Sequence, residues 1–258
     1  SHETKRSADW WYFCYDYMAK NDEISRQPHD YFKHYRIIPC ADDSIRKVDD
    51  DSGSVICLPP SREYSKYEVP GFFSDIFVFV DYELAKLIDD EKDAVSQWVL
   101  SKFKISRFEA SELLPKAIRS VATRLFSGEL DTKYRDIINA WIFVKAIISS
   151  SRINLSDAVW REIGRFPLPL DTTDISQDAV SNRDLCPAFL AYWPDSLVPA
   201  PTCLKNVPGL RRASEIFFSD LSSKSGLPLS EWMDFIRRIG VSQNPKILQY
   251  SRVIGRRD

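Results

Sequence analysis

The sequence predicts an α+β fold, mostly helical with small antiparallel β elements, arranged as two tandem repeats of about 130 residues. Three observations carry this. Landmarks recur at one offset: Trp11 and Trp141, Pro39 and Pro169, and Pro115-Lys116 and Pro245-Lys246 each lie 130 residues apart. Several long stretches place apolar residues at helical spacing. Short β-branched runs alternate with Asp, Gly and Ser turns, the pattern of short strands. Other landmarks drift, by 134 residues from Trp98 to Trp232 and by 140 from "DIFVF" at 75–79 to "EIFFS" at 215–219, as loop insertions would produce. The units are expected at 7–128 and 130–258. No Pro/Gly/Ser linker joins them, so a rigid pair is expected. One mixed domain with accidental likeness is the alternative.

Each unit opens with a helix. In the first, Trp10, Trp11, Phe13, Cys14, Tyr17 and Met18 form an apolar stripe. In the second, Ile137, Ile138, Trp141, Ile142, Val144, Ile147 and Ile148 cover more of the circumference, so that helix is expected to be buried on most sides. Next, "YRIIPC", "IRKV" and "VICLPP", separated by "ADDS" and "DDDSGS", read as a small antiparallel meander. The second unit has "GRFPLPLDTTDISQDAV", whose Pro167 and Pro169 place it on a sheet edge. "DIFVFVDYELAKLI" and "SEIFFSDL" each supply a short apolar run. A Trp-bearing helix follows. In the second unit Ser230 is its expected N-cap, Trp232, Phe235, Ile236 and Ile239 its stripe, and Gly240 its C-terminal glycine. Lys104 stands at the matching stop in the first unit. A last helix is expected to begin at Pro115, where a missing N–H is harmless, and to end at Gly128. Its stripe of Leu113, Leu114, Ala117, Ile118, Val121, Ala122, Leu125 and Phe126 demands a partner surface, because burying one such large side chain is worth ~1.5–3 kcal/mol.

Composition excludes several classes. Apolar residues make up 44% of the 258, enough for a real core. The net charge of −2 lacks the basic excess of a domain devoted to nucleic acid. No apolar run approaches the ~18–20 residues of a membrane span, and no basic-apolar-small segment opens the chain. Five cysteines without a Cys-x-x-Cys point to a reducing, cytoplasmic setting.

The order of helix, apolar-Pro strand with acidic turn, short strand and Trp helix ending in Ile-Gly-Val resembles segments of sacsin and of NO VEIN-type proteins. Large bacterial proteins of the same architecture share it. The residues that carry the resemblance are "HYRIIPCADDSIRKV", "WREIGRFPLPLDTTDISQDAV…YWPDS" and "LPLSEWMDFIRRIGV". In those families such units follow an ATPase domain of the gyrase and histidine-kinase type. That domain needs a magnesium-holding Asn helix, an Asp-x-Gly-x-Gly and a glycine-rich lid. This chain departs from it, since "DDSGSV" at 50–55 lacks the second glycine. The resemblance therefore implies a segment outside the ATP site, and ATP hydrolysis is not carried over.

No Gly-x-Gly-x-x-Gly, Walker loop, His-Glu-x-x-His or Gly-x-Ser-x-Gly occurs. His29 and His34 are five apart, off the shared helix face that a zinc pair uses. Asp49-x-Asp51-x-Gly53 begins like a calcium loop, but position twelve is Pro60 where a Glu is needed, so a solvated turn is expected. "EYSKYE" at 63–68 has a Glu-x-x-Lys without an Asp-bearing strand before it. "DWWYFCYDY" has the aromatics of a base-stacking surface, but Asp9 and Asp16 stand where Arg or Lys would be, which favours a core helix.

Basic residues gather near the end of the sequence, at Arg237, Arg238, Lys246, Arg252, Arg256 and Arg257, with Arg211-Arg212 near them. They read as a solvated helix face or as a patch for phosphate or an acidic partner. No cofactor, metal or catalytic residue is expected. The sequence thus favours a non-catalytic structural or interaction module of a large multidomain intracellular protein, in chaperone-like or defence work. Its partners would be other domains of the same protein or other proteins, without a membrane. The alternative is a nucleic-acid-binding component of a bacterial defence system that uses the C-terminal basic face.

Overall fold

The computed structural model describes residues 6–49, 53–60, 69–90, 92–150, 154–171, 180, 184–193 and 210–244. It is a mixed α+β protein in which short β elements sit among helices. The first half opens with α1 (Ala8–Lys20), whose N-terminus is capped by the Ser7 side chain accepting from the Trp10 N–H. The short helices α2 (Asp22–Ser25) and α3 (His29–Phe32) lead into β1 (Arg36–Pro39) and β2 (Ile45–Lys47), an antiparallel pair. The expected meander stops there. β3 (Val55–Leu58) does not add to that pair. It lies between β4 (Phe77–Phe79) and β5 (Ser106–Arg107), parallel to both. Ile56, Cys57 and Leu58 are all buried, and a run buried on both faces suits a parallel sheet rather than a half-solvated hairpin. Helices α4 (Tyr82–Ile88), α5 (Ala94–Lys102) and α6 (Ala110–Ser127) complete this half.

The second half opens with α7 (Tyr134–Ser150) and α8 (Asp157–Ile163). β6 (Pro167–Pro169) pairs antiparallel with β7 (Leu185–Pro187) in a two-stranded sheet, so the prolines do occupy an edge. A single turn of 3-10 helix (Ala188–Leu190) and the helices α9 (Glu215–Ser225) and α10 (Leu229–Arg238) follow.

Several local expectations need correction. The α1 stripe divides. Trp11, Tyr15 and Met18 pack inward, while Trp10, Phe13 and Tyr17 are 41%, 68% and 60% exposed. The Tyr15 hydroxyl donates to the Ile37 carbonyl (2.6 Å) and its ring meets Phe103, which fixes the rotation of the helix. α6 begins at Ala110, five residues before Pro115, because Ala110, Leu113 and Leu114 are already core residues. Pro115 then forgoes the bond to the Ser111 carbonyl. Gly128 ends α6 in the left-handed conformation, as expected (φ 80°). "EIFFS" belongs to helix α9 rather than to a counterpart of strand β4, because the Ser214 side chain caps the helix by accepting from the Phe217 N–H. α10 begins after Pro228, so Ser230 lies inside its first turn instead of capping it. Pro245-Lys246 and "EYSKYE" lie outside the described residues.

One set of backbone bonds occurs in both halves. Asp81 N–H donates to the Pro39 carbonyl (2.9 Å), and Ser214 N–H to Pro169 (3.0 Å). Ala41 donates to Phe79 (2.9 Å), and Asp171 to Arg212 (3.0 Å). Val80 donates to Cys57 (3.0 Å), and Ala213 to Tyr192 (2.9 Å). Ile105 donates to Leu100 and Val241 to Ile236, both at 3.0 Å. Cys57 lies between parallel partners Phe79 and Ser106, as Tyr192 lies between Arg212 and Ser242.

Two apolar clusters result. The smaller is built from the first half alone, around Tyr15, Phe32, Ile38, Val80, Leu84 and Val99. The larger crosses between halves. It joins the sheet phenylalanines and α6 of the first to nearly all of the second. At its centre Phe143 of α7 lies 5.9, 6.1 and 6.3 Å from the rings of Phe73, Phe77 and Phe79.

Candidate anion-binding cleft

Of the six basic residues predicted near the C-terminus, Arg237 and Arg238 fall in the described structure, on the last turn of α10. Lys246, Arg252, Arg256 and Arg257 lie outside the described residues. The two arginines part company. Arg238 sets its guanidinium over the Trp160 ring, 4.6 Å from its centroid, and faces a cleft of about 530 Å³ between the ends of α8 and α10. Arg237 does not line that cleft, and its Nη1 is 4.0 Å from Asp234.

Two other guanidiniums that sequence reasoning did not single out share the cleft, Arg161 on α8 and Arg165 just beyond it. Arg161 donates to the Asp157 carbonyl (3.3 Å), and Arg165 pairs with Glu162 (3.1 Å). No described carboxylate pairs with Arg161 or Arg238. Trp160, Phe189 and Ile239 supply an apolar wall and Asp157 a single acid. Sequence separation hid this group. A spacing of 161, 165 and 238 becomes a cluster only when α8 and α10 meet.

Glycine allows that meeting. A Cβ on Gly164 would stand 2.3 Å from the Ile239 carbonyl oxygen, so only a bare backbone lets the end of α8 touch the end of α10. Phe189 N–H then donates to the Gly164 carbonyl (2.9 Å), which places its ring at the cleft. Gly240 turns with φ 103°, and a side chain there would meet Phe189 at 3.3 Å. Guanidiniums keep their charge throughout the physiological range. The cleft is therefore equipped to attract and orient an anion beside an apolar surface.

The remaining candidates take structural places. His29 Nδ1 is 2.6 Å from the Lys102 carbonyl and its Nε2 is 3.3 Å from Asp49, so it ties α3 to the end of α5 and to the turn after β2. Asp49 also meets Lys33 (3.4 Å), while Asp50 and Asp51 of the calcium-like fragment lie outside the described residues. Among the described residues no group of three or more His, Cys, Asp or Glu is placed to hold a metal ion. Cys40, Cys57 and Cys186 are buried, and burial pushes the Cys186 thiol up to about 12. Arg212 is paired with Asp171 (3.0 Å) and with Glu215, so it ties the segment before α9 to the end of β6. Among the described residues no helix is long and apolar enough to cross a membrane.

A second cleft, about 620 Å³, opens where the halves meet. Asp75, Asp131 and Asp136 line it, with Arg124 holding Asp75 at 2.8 Å. Comparison of the chain with family models, with curated proteins and with solved structures finds no match.

Proposed function

We propose that this chain is a non-catalytic interaction module built from one α+β unit used twice, at 7–128 and 130–258. In this reading it belongs to a large multidomain intracellular protein of the sacsin and NO VEIN type, where it links an ATPase to effector domains in chaperone-like or defence work. The recurring backbone bonds support the duplication. One observation carries the role, the seating of Phe143 on Phe73, Phe77 and Phe79, which makes the core continuous across the halves. A displacement or docking event at one half is then transmitted to the other, as a rigid spacer requires. Urea unfolding followed separately by a fluorescent label in each half tests this. A rigid module melts in one transition reported equally by both labels. Two separated transitions would remove the reading.

The basic cleft favours a second reading, a nucleic-acid-binding component of a bacterial defence system. Arg161 and Arg238 offer charge to phosphate, and Phe189, 36% exposed, offers a ring to a base. Gel shifts with generic DNA and RNA at low salt, where phosphate contacts are strongest, decide it. Binding that is lost on raising the salt and in Arg161→Ala/Arg238→Ala supports the reading. Absence of binding at low salt rejects it.

A further inference from the structure

The basic cleft brings together groups of three chemical kinds. Two are guanidiniums with donors to spare. Arg161 spends its Nε on the Asp157 carbonyl (3.3 Å), and no described carboxylate pairs with it or with Arg238. Arg238 rests over the Trp160 ring, 4.6 Å from its centroid, a contact that holds the group in place and leaves it exposed. Guanidiniums held this way suit the oxygens of a phosphate. The second kind is an open ring. Phe189 is 36% exposed, whereas Trp160, at 7%, is closed beneath Arg238. The third is Asp157, an exposed carboxylate on the same wall. A carboxylate repels phosphate but accepts hydrogen bonds from hydroxyl and amino groups.

We infer that this cleft binds a single nucleoside phosphate. Arg161 and Arg238 take the phosphate, the base lies on Phe189, and Asp157 accepts from ribose hydroxyls or a base amino group. The inference rests on the basic-cleft reading above and narrows it from a strand to one nucleotide. Size agrees, since the cleft of about 530 Å³ lies within the ~300–1,000 Å³ of small-ligand sites. Charge argues against a longer polyanion. A bound strand follows a run of cations, and here acids flank the arginines on both helices. On α8, Glu162 draws Arg165 (3.1 Å) and Arg119 (3.2 Å) to itself. On α10, Asp234, its side chain 82% exposed, stands one turn before Arg238. Asp157 also separates a nucleotide from a phosphotyrosine, whose ring carries no hydrogen-bond donor.

Isothermal titration calorimetry of the full chain at low salt tests this, with AMP, adenosine, inorganic phosphate and O-phosphotyrosine as probes. Fluorescence anisotropy of a short labelled DNA strand runs beside it. AMP should bind about tenfold or more tightly than each of the other three and should displace the strand. Arg161→Ala and Arg238→Ala should each weaken AMP about tenfold. Phe189→Leu, which keeps an apolar side chain but loses the ring, should weaken AMP about fivefold and leave phosphate binding unchanged. If Arg238→Ala lowers the melting temperature, Arg161→Ala, which spares the Trp160 contact, decides alone. AMP binding that ignores Arg161→Ala overturns the inference. So does phosphate or phosphotyrosine that binds as tightly as AMP. If the strand binds through the two arginines while AMP neither binds nor displaces it, only this inference fails. If neither the strand nor AMP binds, the basic-cleft reading fails with it.

Discussion

The two halves place the same backbone bonds around different side chains, and their first helices differ most. In the second half Trp141 is fully buried and its indole N–H donates to the Pro167 carbonyl (2.8 Å). In the first half Trp11 is only half-buried, and Tyr15 supplies the matching tie to β1 through its hydroxyl. The Trp pair that suggests a repeat in the sequence thus sits in unlike surroundings, although the bonds around it correspond. Backbone geometry tolerates such exchanges as long as one donor reaches the strand. A second contrast lies at the stops of α5 and α10. Lys104 and Gly240 both follow the helix with positive φ, 52° and 103°, and the next residues, Ile105 and Val241, make equivalent bonds back into the helix. The first half holds a lysine in a conformation that suits glycine.

These contrasts can be broken or sharpened by substitution. The largest expected effect is at the junction. Phe143→Ala removes a buried ring that rests on three others and should destabilise the whole chain by about 3–5 kcal/mol in urea unfolding. Next come the two ties between first helix and strand. Trp141→Phe loses the indole donor as well as volume, for about 2–4 kcal/mol. Tyr15→Phe removes only a hydroxyl, for about 1–2 kcal/mol. If the ranking reversed, Tyr15 would be the more important tie. The helix stops should respond with opposite signs. Gly240→Ala forces a side chain into positive φ beside Phe189 and should lower stability by about 1–2 kcal/mol, while Lys104→Gly should raise it by up to about 1 kcal/mol. Differential scanning calorimetry of the two variants checks both signs.

The smallest effect concerns the turn between β1 and β2. Burial pushes the Asp42 carboxyl up, but hydrogen bonds from the Ser44 hydroxyl, the Arg46 guanidinium and the Ser44 N–H outweigh it and leave the group below the usual carboxylate range. A lowered folded pKa contributes stability above the unfolded value of about 3.9 and loses it as the pH falls through the folded one. Asp42→Asn should therefore weaken the protein at neutral pH and make no difference in strong acid. Denaturation midpoints at the two extremes would reveal a pH-independent effect if the turn matters only through its shape.

Much of the helical architecture was legible because it rests on local chemistry. The α10 stripe of Trp232, Phe235, Ile236 and Ile239 is buried throughout, and Gly128 and Gly240 stop their helices. The errors arose where long-range packing decides. An apolar run such as "VICL" does not announce whether its neighbours are parallel or antiparallel. Helix α1 carries more aromatics than one buried face accepts, and only the Tyr15 bond and the packing of α4 and α5 select among them. Pro115 reads as a helix start, yet Leu113 and Leu114 had to be buried and drew the helix earlier. At the basic cleft Arg238 was visible as part of a charge cluster. Arg161 and Arg165 were not, since Gly164 brings them to Arg238 through a contact about 75 residues away in sequence.

Native-state hydrogen exchange, read by NMR at the matched amides, tests the central claim most directly. If one unit is used twice and the halves share a core, Ala41, Val80 and Asp81 should be protected to the same degree as Asp171, Ala213 and Ser214, and Phe143→Ala should lower both sets together. Free exchange in one set while the other stays protected, or a loss confined to the half that carries the substitution, would contradict it.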